Sequence, residues 1–256
     1  MKYFTKEWYE LCQKTSFHFS LEEEKQAKIF SEEYFQQLYS IKLNDWLDLQ
    51  QQFASHIEKS ETVGRDCIQH EIFNKEKAIE QFHESFIYSQ EYIKESLPER
   101  ILKGIADIRV FVLDKASRNV IKAVTKFCED NRKSVNKTSR EYRKYYKKAL
   151  KFLDENIVKN IRFHDCVIIN SNQKDKSLIL SLDNRGGFTN IDEVVFENYN
   201  IVKQEGSLEN SWWRYNEIYK VNDKYELHVL LINKTGDLIE FIISAEHIAF
   251  NCNKNN

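Results

Sequence analysis

The side-chain rhythm of this chain changes once, near Asn160, and no other feature constrains the fold as strongly. Before that point apolar residues recur at the three- and four-residue spacing that lines one face of a helix. After it apolar and polar residues alternate, as they do on a strand with one face against a core. Four of the six glycines, Gly186, Gly187, Gly206 and Gly236, also lie beyond it, where turns between strands need them. The pattern predicts an α+β protein, with a helical domain over residues 1–156 and an antiparallel sheet over residues 157–256 packed against it.

In the helical part, Thr5 is placed to cap a short helix carrying Trp8 and Leu11. Ser20 with Glu23 reads as a capping box that starts a helix at Leu21, with Ala27, Phe30, Tyr34 and Leu38 on one stripe. Further helices are expected over 44–57 and 75–95. Pro98 then opens a long helix reaching about Cys128, because its missing amide hydrogen is not needed in a first turn. Taking about 100° per residue, apolar side chains from Ile101 to Phe127 fall within one arc of about 140°, with Arg109 near its middle. A guanidinium there needs carboxylates, as a structural salt bridge or as part of a buried anion site.

In the second part, strands are expected over 162–170, 177–182, 193–196, 212–221, 225–232 and 238–243, the last three as a meander. Turns are signalled by NRGG at 184–187, by Asn222 with Asp223 and by NKTG at 233–236. Alternation places Trp213, Tyr215, Glu217 and Tyr219 on one face of their strand. A two-residue turn at Asn222 and Asp223 sets Glu217 opposite His228 and Tyr215 opposite Leu230, whereas a three-residue turn sends His228 to the other face. Trp213, Tyr215, Glu217, His228 and Arg109 are therefore the ligand-binding candidates. Glu240 on the next strand extends the set.

Charge is segregated. Residues 1–100 carry 12 basic and 19 acidic groups, residues 101–160 carry 16 and 7, and residues 161–256 carry 10 and 14. The stretch 132–151, RKSVNKTSREYRKYYKKALK, holds nine Lys or Arg and one Glu. Arg140, Arg143, Lys144, Lys147 and Lys148 are nucleic-acid candidates that would grip phosphates, while Tyr142 and Tyr146 would stack on unpaired bases. The plainer reading is a solvated amphipathic helix, since the whole chain, at a net charge of −2, is not basic.

Known site patterns are incomplete. Glu80 and His83 have the spacing of one metal-ligand pair, but a di-iron bundle needs a second. His70 and Glu71 begin a zinc-protease string that fails at Asn74. His164 with Asp165 is a lone dipeptide, and His164 with Cys166 lacks a cationic surrounding to activate a thiol. Gly186 and Gly187 are followed by neither a helix nor a Lys-Ser/Thr pair, so no phosphate loop is present. Five cysteines, an odd number with no C-x-x-C pair, argue against a disulfide framework and a zinc knuckle. No metal or cofactor is expected. The chain shows no secretory signal and no apolar run of about 18 residues, so a cytoplasmic protein with no membrane association is expected. Six Gly and one Pro exclude collagen and proline-rich disorder.

Three stretches, MKYFTKEWYEL at the start, LPERILKGIADIRVFVLDKAS at 97–117 and WWRYNEIYKVNDKYELHVLLIN at 212–233, resemble a bacterial family catalogued as domain of unknown function 4085. The resemblance spans nearly the whole chain. It implies a cytoplasmic bacterial protein and carries no catalytic residue with it. A non-enzymatic partner- or ligand-binding protein is the favoured expectation, with another protein as partner. The alternatives are nucleic-acid association through 132–151 and an enzyme with a pocket near Glu217 and His228.

Overall fold

A computed structural model describes residues 1–61 and 73–252. In chain order, α1 (Lys6–Gln13) is followed by β1 (Glu22–Glu23), a 3-10 turn (Gln26–Lys28), α2 (Glu32–Glu61) and α3 (Lys75–Ser96). Two short helices, α4 (Glu99–Leu102) and α5 (Ile108–Val112), and β2 (Lys115–Ala116) precede α6 (Arg118–Ala149) and α7 (Glu155–Asn160). Eight strands follow: β3 (Val167–Lys174), β4 (Ser177–Asp183), β5 (Glu193–Glu197), β6 (Asn200–Gln204), β7 (Ser211–Val221), β8 (Lys224–Ile232), β9 (Leu238–Ala245) and β10 (His247–Asn251). The fold is α+β. Its compact units are Met1–Gln13 with Asn131–Asn256, and Lys14–Asp130, so the chain is not divided at residue 156. The cause is local: α1 and the second half of α6 make their contacts with the sheet.

Within residues 14–130 the helices differ from the sequence expectation in two places. No helix starts at Leu21. Glu22 and Glu23 instead pair in parallel with Lys115 and Ala116, and the Glu22 amide donates to the Asp114 carbonyl at 2.8 Å. Ser31 is the residue that caps, its Oγ accepting from the Tyr34 amide at 3.3 Å, and α2 then runs through 44–57 without a break.

The long helix over 98–128 is also absent. Asp107 is extended (φ −144°) and accepts from the Arg109 amide at 2.9 Å, which starts α5 afresh. Asp114 is left-handed (φ 68°), and the Ser117 hydroxyl accepts from the Val120 amide at the head of α6. Two aspartates and a serine thus cut one apparent stripe into three pieces, because their side chains offer the backbone a local alternative to continuing the helix. Of the apolar residues on that stripe, Ile101, Leu113, Ala116, Val120 and Val124 are buried, Leu102, Ile105, Val112 and Phe127 are half-buried, and Ala106 and Ala123 are exposed, while Val110, Phe111 and Cys128, which lie off it, are buried. Ile101, Phe111, Ala116, Val120, Val124 and Cys128 join Ile93 and Leu97 in one cluster, and Val110 and Leu113 join Phe35, Leu38 and Phe86 in another.

In the other unit the strands form one antiparallel sheet in the order β10-β5-β4-β3-β7-β8-β9-β6. The meander β7-β8-β9 is present but is not the end of the chain, since β10 returns to pair with β5 and β6 covers β9. Asn222 (φ 48°) and Asp223 (φ 63°) are both left-handed, the two-residue turn whose twist matches its flanking strands. β3 starts later than expected, at Val167, because Asp165 turns the chain at φ 67°.

β10 touches β8, so the sheet curls around its inner face. Residues from both ends, such as Phe196 and Ile248 on one side and Phe241 and Ile243 on the other, share a core with Phe163 and Trp213. The outer face of β7 and β8 carries a second cluster in which Leu230 is covered by Trp8 and Tyr9 of α1.

Candidate functional site

Strand β7 does not keep its alternation. The register slips between Trp213 and Tyr215, leaving Arg214 as the extra residue of a bulge. Trp213 therefore points into the inner core, with no exposed surface and its indole N–H donating to Asn216 Oδ1 at 3.1 Å. Tyr215, Glu217 and Tyr219 stay on the outer face, so the expected four-membered row loses its tryptophan. Downstream of the bulge the register is that of the two-residue turn, Glu217 opposite His228 and Tyr215 opposite Leu230.

Glu217 is fully buried although it lies on the outer face. The cover is the start of the same chain. The amides of Lys2, Tyr3 and Phe4 donate to its two oxygens at 2.9, 2.7 and 2.6 Å, and the Tyr219 hydroxyl donates to Oε2 at 2.5 Å. Three successive amides turned toward one point make an anion-binding nest, and Glu217 is its anion. Burial first, and then the carboxylate itself, pushes the Tyr219 phenol well above its ordinary range, so it remains a donor.

A carboxylate offers about four acceptor positions, and four donors occupy them. Glu217 has no position left for a ligand. His228 is not its acid–base partner either, because Nε2 lies 2.7 Å from Glu226 Oε1 and Nδ1 is buried without a hydrogen bond among the described residues. Glu240 faces Lys203 at 2.9 Å, and Lys203 and Lys6 both hold Glu205, at 2.9 and 2.7 Å.

Burial opposes the charge on Glu205, yet Lys6, Lys203 and the Glu240 amide overcome it and bring its pKa from an ordinary 4.5 down to about 2. A lowered carboxylate pKa stabilises the fold above the unfolded value and loses that contribution as pH falls through the folded one. The melting temperature of Glu205→Gln is accordingly expected below that of the natural sequence above about pH 4.5, with the gap closing toward pH 2. An acid titration of both melting curves checks this; a gap that stays constant would refute it.

The second half of α6 lies across the same outer face. Tyr142 accepts from the Ile218 amide at 3.3 Å, Tyr145 donates to the Ile218 carbonyl at 3.2 Å, and the Trp8 indole donates to the Val135 carbonyl at 3.3 Å. Tyr142 also packs its ring against Tyr3 and Phe4, at 5.4 and 4.7 Å, and Tyr146 against the inner cluster. The tyrosines expected to stack on bases are thus already taken.

Arg140, Arg143, Lys144, Lys147 and Lys148 point away and are exposed. None of the five forms an ion pair among the described residues, unlike Lys126 with Asp130 earlier in α6 and Lys159 with Glu155 in α7. Positive charge on this surface is uncompensated.

Residues 79–244, which include α6 and the strands β3 to β8, match the model described as Protein of unknown function (DUF4085). The chain belongs to that family. No curated protein and no solved structure matches it.

The remaining candidates of this DUF4085 member are accounted for locally. Arg109, in the other unit, donates to Glu32 and Asp107, at 2.8 Å each, and stacks 4.0 Å from the centre of the Phe35 ring. It is a salt bridge on an aromatic platform rather than part of a continuous helix face. Arg109→Ala leaves the nearly buried Asp107 carboxylate without its guanidinium. A loss of about 1–3 kcal/mol is expected in chemical denaturation; unchanged stability would reopen the anion-site reading.

His83 shares a hydrogen bond with Tyr39 at 3.2 Å, and His70 and Glu71 lie outside the described residues. His164 Nδ1 lies 2.8 Å from Asp165, which is also held by Arg214. Cys166 has no exposed surface, and burial pushes its thiol up to about 11, so it is not a nucleophile at neutral pH. A Cβ at Gly187 would overlap the Cys166 sulfur, which explains the glycine in that turn.

What the sequence missed is the role of residues 1–13 as the cover of Glu217. The signal present was Thr5, whose Oγ1 accepts from the Trp8 amide at 3.2 Å and fixes α1 with Trp8 on its inner side. Nothing in the spacing connects Tyr3 to Glu217.

Proposed function

We propose that this is a bacterial, cytoplasmic and non-enzymatic binding protein that engages the acidic surface of another protein through the outer face of α6. The observation that carries the reading is the unpaired row Arg140, Arg143, Lys144, Lys147 and Lys148, set on a helix whose other side is fixed to the sheet by Tyr142 and Tyr145. A rigid basic face brings acidic partners together at low cost in ordering, and it speeds encounter more than it tightens the complex. The family resemblance supports the bacterial origin. An enzyme built on Glu217 and His228 is disfavoured because the carboxylate has spent its acceptors on residues 2–4 and Tyr219.

Nucleic acid is the second reading, favoured by the same unpaired charge. With the tyrosines turned inward it would contact phosphates and not bases. Fluorescence anisotropy with a poly-glutamate peptide, a duplex DNA and a single-stranded RNA of equal charge separates the two. The peptide is expected to bind at low salt and to lose affinity on the order of a hundredfold when salt rises about fourfold. Replacing the five basic residues by Ala should abolish that binding. Tighter binding of either nucleic acid at matched charge would shift the assignment, and no binding of any polyanion would end it.

A further inference from the structure

Residues 14–130 contain an open surface recess unrelated to the basic face. Its volume is about 290 Å³, at the lower end of the size range of small-molecule sites. Buried Ile93 and Phe111, with Phe17 and Leu21 from the loop before β1, supply its apolar wall. Ser89 and Tyr92 of α3 and Asp114 supply its polar groups. A second recess of about 160 Å³ shares Ser89 and Val112 with the first and adds Trp46 and Phe82. The two adjoin at Ser89 and Val112 and make one trough along α3.

Two serines of α3, the exposed Ser85 and the half-buried Ser89, line this trough. Elsewhere in the helices Ser40, Ser55 and Ser139 donate to the carbonyl four residues back, at 2.9, 2.8 and 3.0 Å. Ser85 and Ser89, which line the trough, make no such bond, and the Tyr92 hydroxyl has no partner among the described residues. Hydroxyls that decline their own backbone are available to something else. The one charged group in the wall, Asp114, is already paired with Lys42 at 3.1 Å, and no basic group lines the trough.

We propose that the trough is a binding site for a small uncharged amphipathic molecule. Its apolar body lies against Phe17, Ile93, Phe111 and Val112, and its hydroxyl or amide groups bond to Ser89 and Tyr92. An ionised ligand would have to be desolvated without a partner, which selects against it. Apolar burial supplies the affinity, and the hydroxyls fix the orientation.

N-phenyl-1-naphthylamine, a neutral probe that brightens in apolar surroundings, tests the site with the full-length chain. Saturable binding at one equivalent is expected, with quenching of Trp46 by energy transfer. Ser89→Leu and Val112→Phe each fill the junction of the two recesses and should weaken binding at least about tenfold. Glu84→Gln, on the exposed side of α3, should not. Amide hydrogen exchange of the unaltered chain gives a readout that needs no variant to fold: the probe should protect residues 16–21 and 89–93 and leave residues 213–230 unchanged. Absence of saturable binding, or protection confined to other segments, would overturn the assignment. Undiminished binding in a filling variant that keeps the natural melting temperature would do the same.

Discussion

Glu217→Ala lowers the melting temperature of the sheet unit by roughly 10 °C, the shift expected from a loss of about 3–5 kcal/mol. The size follows from what the substitution leaves behind. Three backbone amides, of Lys2, Tyr3 and Phe4, and the Tyr219 hydroxyl lose their acceptor together, in a place from which water is excluded. Each buried donor left unsatisfied costs about 1–3 kcal/mol, reduced wherever the covering segment can lift and hydrate. Lifting is itself a measurable outcome. Amide exchange in residues 2–4 should accelerate by more than the change in global stability explains, while amides in β4 and β5 track the global value. Glu217→Gln keeps one oxygen acceptor and should fall between the two. Unchanged melting and unchanged exchange at residues 2–4 would show that the carboxylate does not hold the segment.

Trp213→Ala is expected to cost about 3–5 kcal/mol in urea denaturation, the loss typical of removing a fully enclosed indole. Trp213 packs against Phe163, with ring centres 5.0 Å apart, and has no exposed surface. The adjacent Trp212 is 43% exposed, and its replacement by Ala should stay within about 1 kcal/mol. The contrast tests the bulge at Arg214 directly. Without the slip, Trp213 would share the outer face with Tyr215, and its removal would disturb the covering segment at residues 2–4 more than the inner core. Equal effects of the two substitutions would place the bulge elsewhere.

The chain's rhythm made the architecture legible, and its interruptions hid the details. The change near Asn160 located the sheet, but Asn222 with Asp223 left two registers open in the sequence, and it is the positive φ of both residues that identifies the two-residue turn setting Glu217 against His228. The same alternation misplaced Trp213, since a bulge of one residue leaves no mark on composition. β6 and β10 were invisible for a related reason: a short edge strand such as Asn200–Gln204 has little to bury and so shows little alternation. In the helical part, the single arc across 98–128 held the buried Ile101, Leu113, Ala116, Val120 and Val124, but it took in the exposed Ala106 and Ala123, left out the buried Val110, Phe111 and Cys128, and implied a continuous helix that is absent. Asp107, Asp114 and Ser117 carried the breaks, but a capping residue and a polar residue within a helix look alike until the backbone is seen. Of the ligand candidates, Glu217 proved to be committed inside the chain. Its partners are backbone amides, which have no side-chain signature.

The bonds from residues 2–4 to Glu217 join positions 213 to 215 residues apart. At a synthesis rate of about 5–20 residues per second, the first segment leaves the ribosome roughly 10–40 s before the strand that receives it. Tyr3, Phe4 and Trp8 gain their contacts on α6 only when Val135 and Tyr142 are made, and their face on the sheet later still, so this segment is among the last to settle. Nascent chains arrested before α6 would carry this aromatic segment uncovered, and those arrested between α6 and Glu217 would leave its sheet-facing side open to holdase chaperones.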